Sequence, residues 1–197
     1  MASGARLVTR RLCLVAGFSA PLGWGMSVPR LLIRREGPAS LRVAAPQIRF
    51  LTGKSLEQLK NGANVSFALQ VLITPTESAS NFLSRVVDRF VVSYDLWEEK
   101  FKATRPGPPV RESSRLTVPA CEAWCLDELV PIPAVLTPSR QFWVKLELRV
   151  EDPKEWAAIV GEPGINLNRL VELFSRPPRT TQQRWTETAG PLKLQDL

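Results

Sequence analysis

Strict alternation of apolar and polar residues is the feature that most limits how this chain folds. In residues 142–151, FWVKLELRVE, every even-numbered position is apolar, and the odd-numbered positions after Trp143 are charged. Residues 65–74 repeat the pattern with apolar odd positions. Because successive side chains of a strand point to opposite faces, each segment predicts a strand with one buried face. Such burial favours antiparallel pairing, since strands of parallel sheets are buried on both faces.

Shorter signals predict the other elements. Apolar segments that predict further strands are Ile48–Leu51, Leu116–Val118 and the region around Trp185 and Leu192–Leu194. Capping residues, prolines and helical spacing predict four short helices. They are one that starts at a capping box of residues 55–58 and stops at Gly62, one opened by Pro119, one opened by Asp152-Pro153, and one over 167–174 that ends at Pro177-Pro178.

Many separated strands, proline-rich turns and few short helices predict a mainly β fold. We expect an antiparallel, immunoglobulin-like β sandwich of about seven strands with a few short capping α-helices. It would occupy residues 45–197 as a single domain with a C-terminal helix and tail, because a chain of 197 residues has room for one ordinary domain. Residues 28–44 are expected to form a basic N-terminal arm, and residues 175–184 a second exposed arm.

The stretch RFVVSYDLWEEKF, residues 89–101, concentrates four aromatic and three acidic residues. Its apolar residues occupy even positions up to Leu96 and then change to Trp97 and Phe101. This change of parity predicts two strand segments that meet at a bulge or tight turn. Asp95 would cap the irregular backbone there. Because bulges border some functional sites, Asp95 and Trp97 are candidate partner-contact residues.

The chain contains no histidine and three cysteines. Without histidine it cannot form a Ser-His-Asp or Cys-His catalytic arrangement, or a zinc site that uses histidine. Cys121 and Cys125 would lie one helical turn apart, with parallel side-chain directions that favour two buried free thiols over a disulfide. Two cysteines do not complete a zinc site. We therefore expect no metal site and no catalytic residue of these types.

The segment Gly53-Lys54-Ser55 resembles the end of a phosphate-binding loop. Such a loop needs a further glycine at the position that Ile48 occupies here, because its successive amides wrap the phosphates. The chain also lacks the regular alternation of strands and helices that surrounds these loops. We therefore expect no nucleotide and no other cofactor.

Six carboxylates leave open a second hypothesis, a carboxylate-dependent hydrolase of envelope glycans. Such a mechanism needs two carboxyl groups that converge on one bond. Adjacent acids on a strand point to opposite faces, so the pair would have to come from positions that only the fold brings together. The candidates are Asp95, Glu98, Glu99, Asp127, Glu128 and Glu147.

The formal net charge of +7 comes entirely from the first 49 residues, which hold eight arginines and the single acid Glu36, and 8 minus 1 is 7. Residues 50–197 carry 18 basic and 18 acidic side chains. A neutral body gives no electrostatic reason to bind nucleic acid. The arginines near the C-terminus are candidate contacts for lipid phosphate or an acidic partner: Arg176, Arg179 and Arg184.

Residues 1–27 are typical of an export signal or a membrane-anchor segment. Arg6, Arg10 and Arg11 precede the apolar run Leu12–Ala20, and small residues follow it. This order predicts export to the periplasm or cell envelope. Two alternatives stay open. The run is also compatible with an uncut membrane anchor, and the absence of acids is compatible with a mitochondrial transit peptide in a eukaryote.

Five segments together resemble a family of uncharacterised bacterial secreted proteins, a conserved domain of unknown function. The segments are TGKSL (52–56), VSFALQVLI (65–73), SYDLWEEKF (93–101), FWVKLELRV (142–150) and LVELFSRPP (170–178). The resemblance covers roughly residues 45–197. It implies a β-rich exported domain and brings no activity, cofactor or site residue with it.

These observations favour a non-enzymatic binding or accessory protein that is exported to the periplasm or cell envelope. Its partner would be a protein or an envelope component, bound through an exposed apolar patch or a sheet edge. Besides the glycan hydrolase, the sequence leaves open a membrane-adaptor or signalling module that binds anionic lipid through its arginine-rich arms. No nucleic-acid partner is expected.

Overall fold

A computed structural model describes residues 30–37, 39–127, 129, 131–133, 136–151, 171–172, 174–175 and 182–197. These residues contain nine strands and two α-helices. The strands are β1 (Leu32–Arg35), β2 (Ser40–Ala44), β3 (Val65–Thr74), β4 (Ser84–Asp95), β5 (Lys100–Arg105), β6 (Arg111–Leu116), β7 (Ile132–Pro133), β8 (Gln141–Val150) and β9 (Arg184–Lys193). The helices are α1 (Gly53–Lys60) and α2 (Val118–Leu126), and one 3-10 turn covers Leu194–Asp196.

The strands form two antiparallel sheets. The larger sheet has the order β6-β5-β4-β3-β8-β9 and the smaller one β1-β2-β7. Every strand pair is antiparallel. The expectation of a mainly β, antiparallel sandwich is therefore confirmed. The described residues hold nine strands, divided six and three, where about seven were expected.

The two alternating segments form the centre of the larger sheet. β3 and β8 pair with each other along most of their length and have the predicted limits to within one residue. The region around Trp185 is also a strand, as predicted, and forms β9 at one edge. Of the segment Leu116–Val118, only the first residue is in a strand, because β6 ends there and α2 begins at Val118.

The predicted strand Ile48–Leu51 is wrong. Ile48, Phe50 and Leu51 are buried and Arg49 is exposed, but the segment forms no strand. Phe50 is fully enclosed in the core. The backbone N–H of Leu51 donates to the carboxylate of Glu122 on α2, at 3.0 Å, instead of to a neighbouring strand. The apolar pattern therefore predicted the burial of the apolar side chains correctly but the strand conformation of the backbone incorrectly.

The basic segment before residue 45 belongs to the folded domain. Residues 32–44, which were expected to lie in an arm, form a hairpin of β1 and β2. Leu41 and Val43 of β2 are fully buried and join the main core. The alternating sequence SLRVA of residues 40–44 was a strand signal, and the surrounding arginines obscured it. Of the arm expected at 175–184, Ser175 is helical, Gln183 accepts a hydrogen bond from the backbone of Ser55, and Arg184 begins β9. Residues 176–181 lie outside the described residues.

The larger sheet has a core face and an opposite face, which we call the polar face. Phe67 and Phe90 lie side by side on the core face, and both are completely buried. The ring of Phe67 lies 4.8 Å from that of Phe50 and 5.3 Å from that of Phe90, measured between centroids. Burial of this apolar surface against the smaller sheet is the main force that holds the sandwich together.

The polar face is covered in part by the C-terminal helical residues 171–172 and 174–175. Phe174 packs against Ala68 and Val87, and the guanidinium of Arg149 lies 4.9 Å from the centre of its ring. Three of these residues, 171, 172 and 174, belong to the helix predicted over 167–174, and the rest of that prediction lies outside the described residues. The helix predicted to start at Asp152-Pro153 lies outside them as well.

Helix α1 begins two residues before the predicted cap. Ser55 lies inside the helix, and its hydroxyl donates to the carbonyl oxygens of Phe50 and Thr52 at 3.0 and 2.9 Å. The capping-box prediction is therefore wrong, because Ser55 closes the turn that precedes the helix. Gly62 does follow the helix end, with a φ of +82° that favours glycine, as the predicted stop requires.

Helix α2 has a proline in its first turn and carries both cysteines, as predicted. Cys121 and Cys125 are free thiols with no exposed surface, so the prediction of two buried thiols is confirmed. Burial, followed by a hydrogen bond with Cys121, raises the pKa of the Cys125 thiol far above its ordinary value. This thiol therefore stays protonated and unreactive at neutral pH.

The two edge strands of the larger sheet are both irregular. β6 has the polar sequence RESSRL, Arg115 has a φ of +60°, and its pairing with β5 shifts register between Phe101 and Ala103. β9 contains Pro191, which has no N–H to offer to another strand. Charges, bulges and prolines of this kind oppose the addition of a further strand at an edge.

Candidate functional site

A tight turn between β4 and β5 accounts for the parity change in residues 89–101. Asp95 is the last residue of β4 and pairs with Lys100, the first residue of β5, so residues 96–99 make the connection. The prediction of two strand segments that meet at a tight turn is therefore confirmed. We call Leu96, Trp97, Glu98 and Glu99 the β4–β5 tip.

Asp95 caps the backbone of this tip. Its Oδ1 accepts hydrogen bonds from the backbone N–H groups of Trp97 at 2.8 Å and Glu98 at 3.0 Å. These two bonds hold the pKa of Asp95 below its ordinary value, and the bond from Glu98 accounts for the larger part of the shift. Asp95 is therefore a charged acceptor that fixes the turn, which is the capping role that the sequence predicts.

A bidentate ion pair ties the tip to the edge strand. Arg115 of β6 donates to both carboxylate oxygens of Glu98, at 2.8 and 3.1 Å. The hydrogen bonds and the charge of Glu98 raise the pKa of Arg115. Glu99 has a φ of +53°, a conformation that tight turns require and that non-glycine residues adopt rarely. The tip is thus held by contacts at both of its ends.

The apolar side chains of the tip project into solvent. Trp97 is 96% exposed and Leu96 is 59% exposed. Leu96 lies beside the loop between α1 and β3, since its Cδ1 is 3.8 Å from where a Cβ at Gly62 would lie. A rigid turn therefore presents a tryptophan that contributes almost nothing to the core.

A buried ion pair lies at the same end of the larger sheet, on its polar face. Arg89 Nε donates to Glu151 Oε2 at 2.7 Å, and the two side chains are 2% and 1% exposed. Arg89 also donates to the hydroxyl of Ser66 at 3.1 Å. Burial lowers the pKa of Arg89, and the charge of Glu151 opposes that shift. The paired, hydrogen-bonded arrangement is what a buried charge needs to be tolerated.

A cavity of about 270 Å³ lies beside this ion pair. Its lining combines apolar groups of β3, β4 and β8 with a few polar side chains. The polar lining residues are Gln58, Asn64, Ser66 and Glu151. The volume falls below the range of about 300–1,000 Å³ that is typical of small-molecule sites.

The carboxylates proposed for a glycan hydrolase occupy three separate regions. Asp95, Glu98 and Glu99 lie in the β4–β5 turn, where the carboxylates of the first two are engaged by backbone N–H groups and by Arg115. Asp127 follows the end of α2. Glu147 lies on β8 and forms an ion pair with Arg149 at 2.7 Å. Glu128 lies outside the described residues.

Of the three candidate arginines, Arg184 is the one that lies among the described residues. Arg184 is exposed at the start of β9, where it lies opposite Arg149 in the strand pairing. It is not part of the β4–β5 tip. Arg176 and Arg179 lie outside the described residues.

Several residues of the candidate site were not predicted from the sequence. Arg115 is 17 positions from Glu98 in the chain, and only the pairing of β5 with β6 brings them together. Parity places Arg89 and Glu151 on the polar side of their strands, and alternation cannot show that a second layer covers that side. Arg89 lies opposite Ala68 in the register, and β3 separates β4 from β8, the strand that Glu151 follows, so no cross-strand pair in the sequence signals the contact.

In the described part of the chain, no cluster of three or more His, Cys, Asp or Glu side chains has the arrangement of metal ligands. In the same ranges, no helix has both the length and the apolar character that a bilayer span demands. Comparisons with protein-family models, with curated proteins and with solved structures each gave no match. The contacts of the β4–β5 turn and of the buried ion pair are therefore the basis for assigning a function.

Proposed function

We propose that the protein is an exported, non-enzymatic binding module of the periplasm or cell envelope, and that it recognises a protein partner through the β4–β5 tip. The observation that carries this proposal is the 96% exposure of Trp97 on a turn held in place by Asp95 and Glu98. Tryptophan is the residue type most enriched among binding hot spots, and exposed apolar side chains that project together mark interaction sites.

The rigidity of the tip supports the same proposal. Binding costs conformational entropy whenever a loop must be ordered in the complex. Here the Asp95 cap and the Glu98–Arg115 pair order the turn before a partner arrives. Preorganised aromatic contacts of this kind lose little entropy on binding.

The charge of the tip favours a protein over an anionic surface. The turn, its paired residue Lys100 and its ion-pair partner Arg115 contain three acids and two basic residues, which sum to a net charge of −1. An anionic membrane would repel this end of the molecule weakly, whereas an apolar pocket with a mixed polar rim on a protein would fit it.

Affinity capture from the native cell envelope tests the proposal, with Trp97→Ala as the test variant. Phe82→Ala is the matched control, because it removes an aromatic that is 50% exposed at the opposite end of β4. We expect a protein that the wild type and the control both capture and that the Trp97 variant loses. With that protein purified, Trp97→Ala should weaken binding by about 30-fold or more. Equal binding by all three proteins would refute a role for the tip.

Export rests on the order of basic, apolar and small residues in positions 1–27, and the cysteine count tests it directly. The chain has three cysteines, and Cys13 lies in the predicted signal. Protein recovered from cells that express the full chain should release only two reactive thiols when it is denatured, and its mass should match cleavage before residue 30. Three thiols in the denatured protein would show that the segment is retained.

A further inference from the structure

The excess charge of the predicted mature protein is concentrated in one short region. Residues 30–49 contain five arginines and one acid, so 5 minus 1 gives +4. Residues 50–197 contain 18 basic and 18 acidic side chains and contribute nothing to the net charge. All of the net positive charge outside residues 1–29 therefore lies in or next to the β1–β2 hairpin.

The hairpin places two arginines side by side on its outer face. Arg34 of β1 lies directly opposite Arg42 of β2 in the strand register. Like charges in directly opposed positions of a sheet are destabilising. Arg42 is compensated by Glu36, which accepts two hydrogen bonds at 2.6 and 3.1 Å. Arg34 is exposed on this face, whereas Arg35 lies opposite Leu41 on the other face and is exposed at the end of β1. The described residues include no acid within ion-pair distance of either arginine.

The outer face also carries aliphatic surface. Leu32 and Ala44 lie opposite each other in the register and share this face with Arg34 and Arg42. The neighbouring positions Leu41 and Val43 point the other way, into the core. Leu32 is half-buried and is not among the residues packed against that core. The face thus combines fixed positive charge with a small apolar contact.

We propose that the β1–β2 hairpin docks the protein on an anionic phospholipid surface through Arg34 on its outer face and the neighbouring exposed Arg35 at the end of β1. Basic residues close to an anionic bilayer are attracted by its surface potential over about one Debye length. The hairpin begins only a few residues after the predicted export or anchor segment, which brings this region of the chain to a membrane during export. This docking involves residues other than the β4–β5 tip and leaves the tip free for a protein partner.

Lipid fits this face better than nucleic acid does. Nucleic-acid binders typically neutralise about 6–10 phosphates, whereas this region has five arginines. Three of these already form ion pairs: Arg30 with Glu187, Arg42 with Glu36 and Arg49 with Glu122. Aliphatic residues such as Leu32 beside the arginines suit the boundary between headgroups and acyl chains. The remaining body is neutral and adds no wider positive field for a polyanion.

Vesicle co-sedimentation tests the proposal with protein recovered from cells that express the full chain. The vesicles contain equal amounts of phosphatidylcholine and phosphatidylglycerol, and vesicles of phosphatidylcholine alone report any binding by the N-terminal segment. Each arginine near the surface should contribute about fivefold to partitioning. The double variant Arg34→Gln, Arg35→Gln should therefore bind about 25-fold more weakly, and salt should weaken the binding of the wild type.

The matched control is the double variant Arg111→Gln, Arg140→Gln, which removes the same charge from two exposed positions outside the hairpin. It should bind as the wild type does. Equal losses in the two double variants would show a general effect of net charge and would overturn the proposal, as would equal binding to both kinds of vesicle. Stronger binding to single-stranded DNA than to the anionic vesicles would also overturn it. A melting temperature of the hairpin variant within a few degrees of the wild type excludes misfolding as the cause, and Trp97→Ala should leave vesicle binding unchanged.

Discussion

Both faces of the larger sheet contain deeply buried side chains, yet the centre of each face is stabilised in a different way. On the core face, Phe67 and Phe90 pack against other apolar side chains. On the polar face, Arg89 and Glu151 are as deeply buried, at 2% and 1% exposure, and form an ion pair. An apolar core tolerates imperfect geometry, whereas a buried charge requires its partner. The comparison shows that burial alone does not identify a functional site in this molecule.

The largest loss of stability is expected from a substitution on the core face. Phe67→Ala should lower the free energy of unfolding by about 4 kcal/mol, because it removes a fully buried ring and leaves a cavity. Leu72→Ala, on the polar face of the same strand, removes a half-buried side chain and should cost about 1 kcal/mol. Urea denaturation of both variants measures the difference, and equal losses would contradict the assignment of the two faces.

The second-largest loss of stability is expected when the buried ion pair is broken. Arg89→Met leaves the buried Glu151 carboxylate without its ion-pair partner and should cost about 3 kcal/mol. The double variant Arg89→Met, Glu151→Leu removes both charges and should recover much of that loss. A single-variant loss below about 1 kcal/mol, measured in the same urea experiment, would mean that the polar face is solvated and the contrast between the faces is weaker than described.

A smaller, pH-dependent effect is expected at the tip. The folded-state pKa of Asp95 is lowered, so its stabilising contribution is present above its ordinary pKa of 3.8 and is lost as the pH falls through the folded-state value. Asp95→Asn should therefore lower the Tm by at most a few degrees at neutral pH, and the difference from the wild type should shrink below pH 3.8. A difference that grows on acidification would contradict the capping role.

The smallest effect on stability should come from Trp97. Because its side chain is 96% exposed, Trp97→Ala should change the free energy of unfolding by no more than about 0.5 kcal/mol. The same variant is expected to lose the protein partner. A loss of stability close to that of Phe67→Ala would show that Trp97 packs within the domain, and the tip would then have no binding role.

The sequence predicted the strands of the larger sheet more accurately than the segments that pack around that sheet. Period-two alternation identified β3 and β8 because both have one apolar face, and the parity change after Leu96 identified the turn. The strand prediction was wrong for Ile48–Leu51, where apolar side chains fill the core but the backbone does not pair with a strand. Arg89 could not be recognised as buried, because its burial depends on layers that are distant in the chain.

The candidate site was predicted only in part. Asp95 and Trp97 came from the local pattern, since capping and turn geometry involve neighbours in the chain. The part played by Arg115 depends on the pairing of β5 with β6, which no local pattern specifies. For the same reason, the two opposed arginines of the β1–β2 hairpin became visible only in the strand register.

The irregular edges of the larger sheet limit how copies of the protein can associate. Arg115 and the register shift disturb the outer edge of β6, and Pro191 removes a donor from β9. A second copy therefore cannot easily continue this sheet, and the repeated strand addition that builds fibres is blocked at both ends. Copies of the protein that associate would therefore have to do so through side-chain contacts instead of added strands.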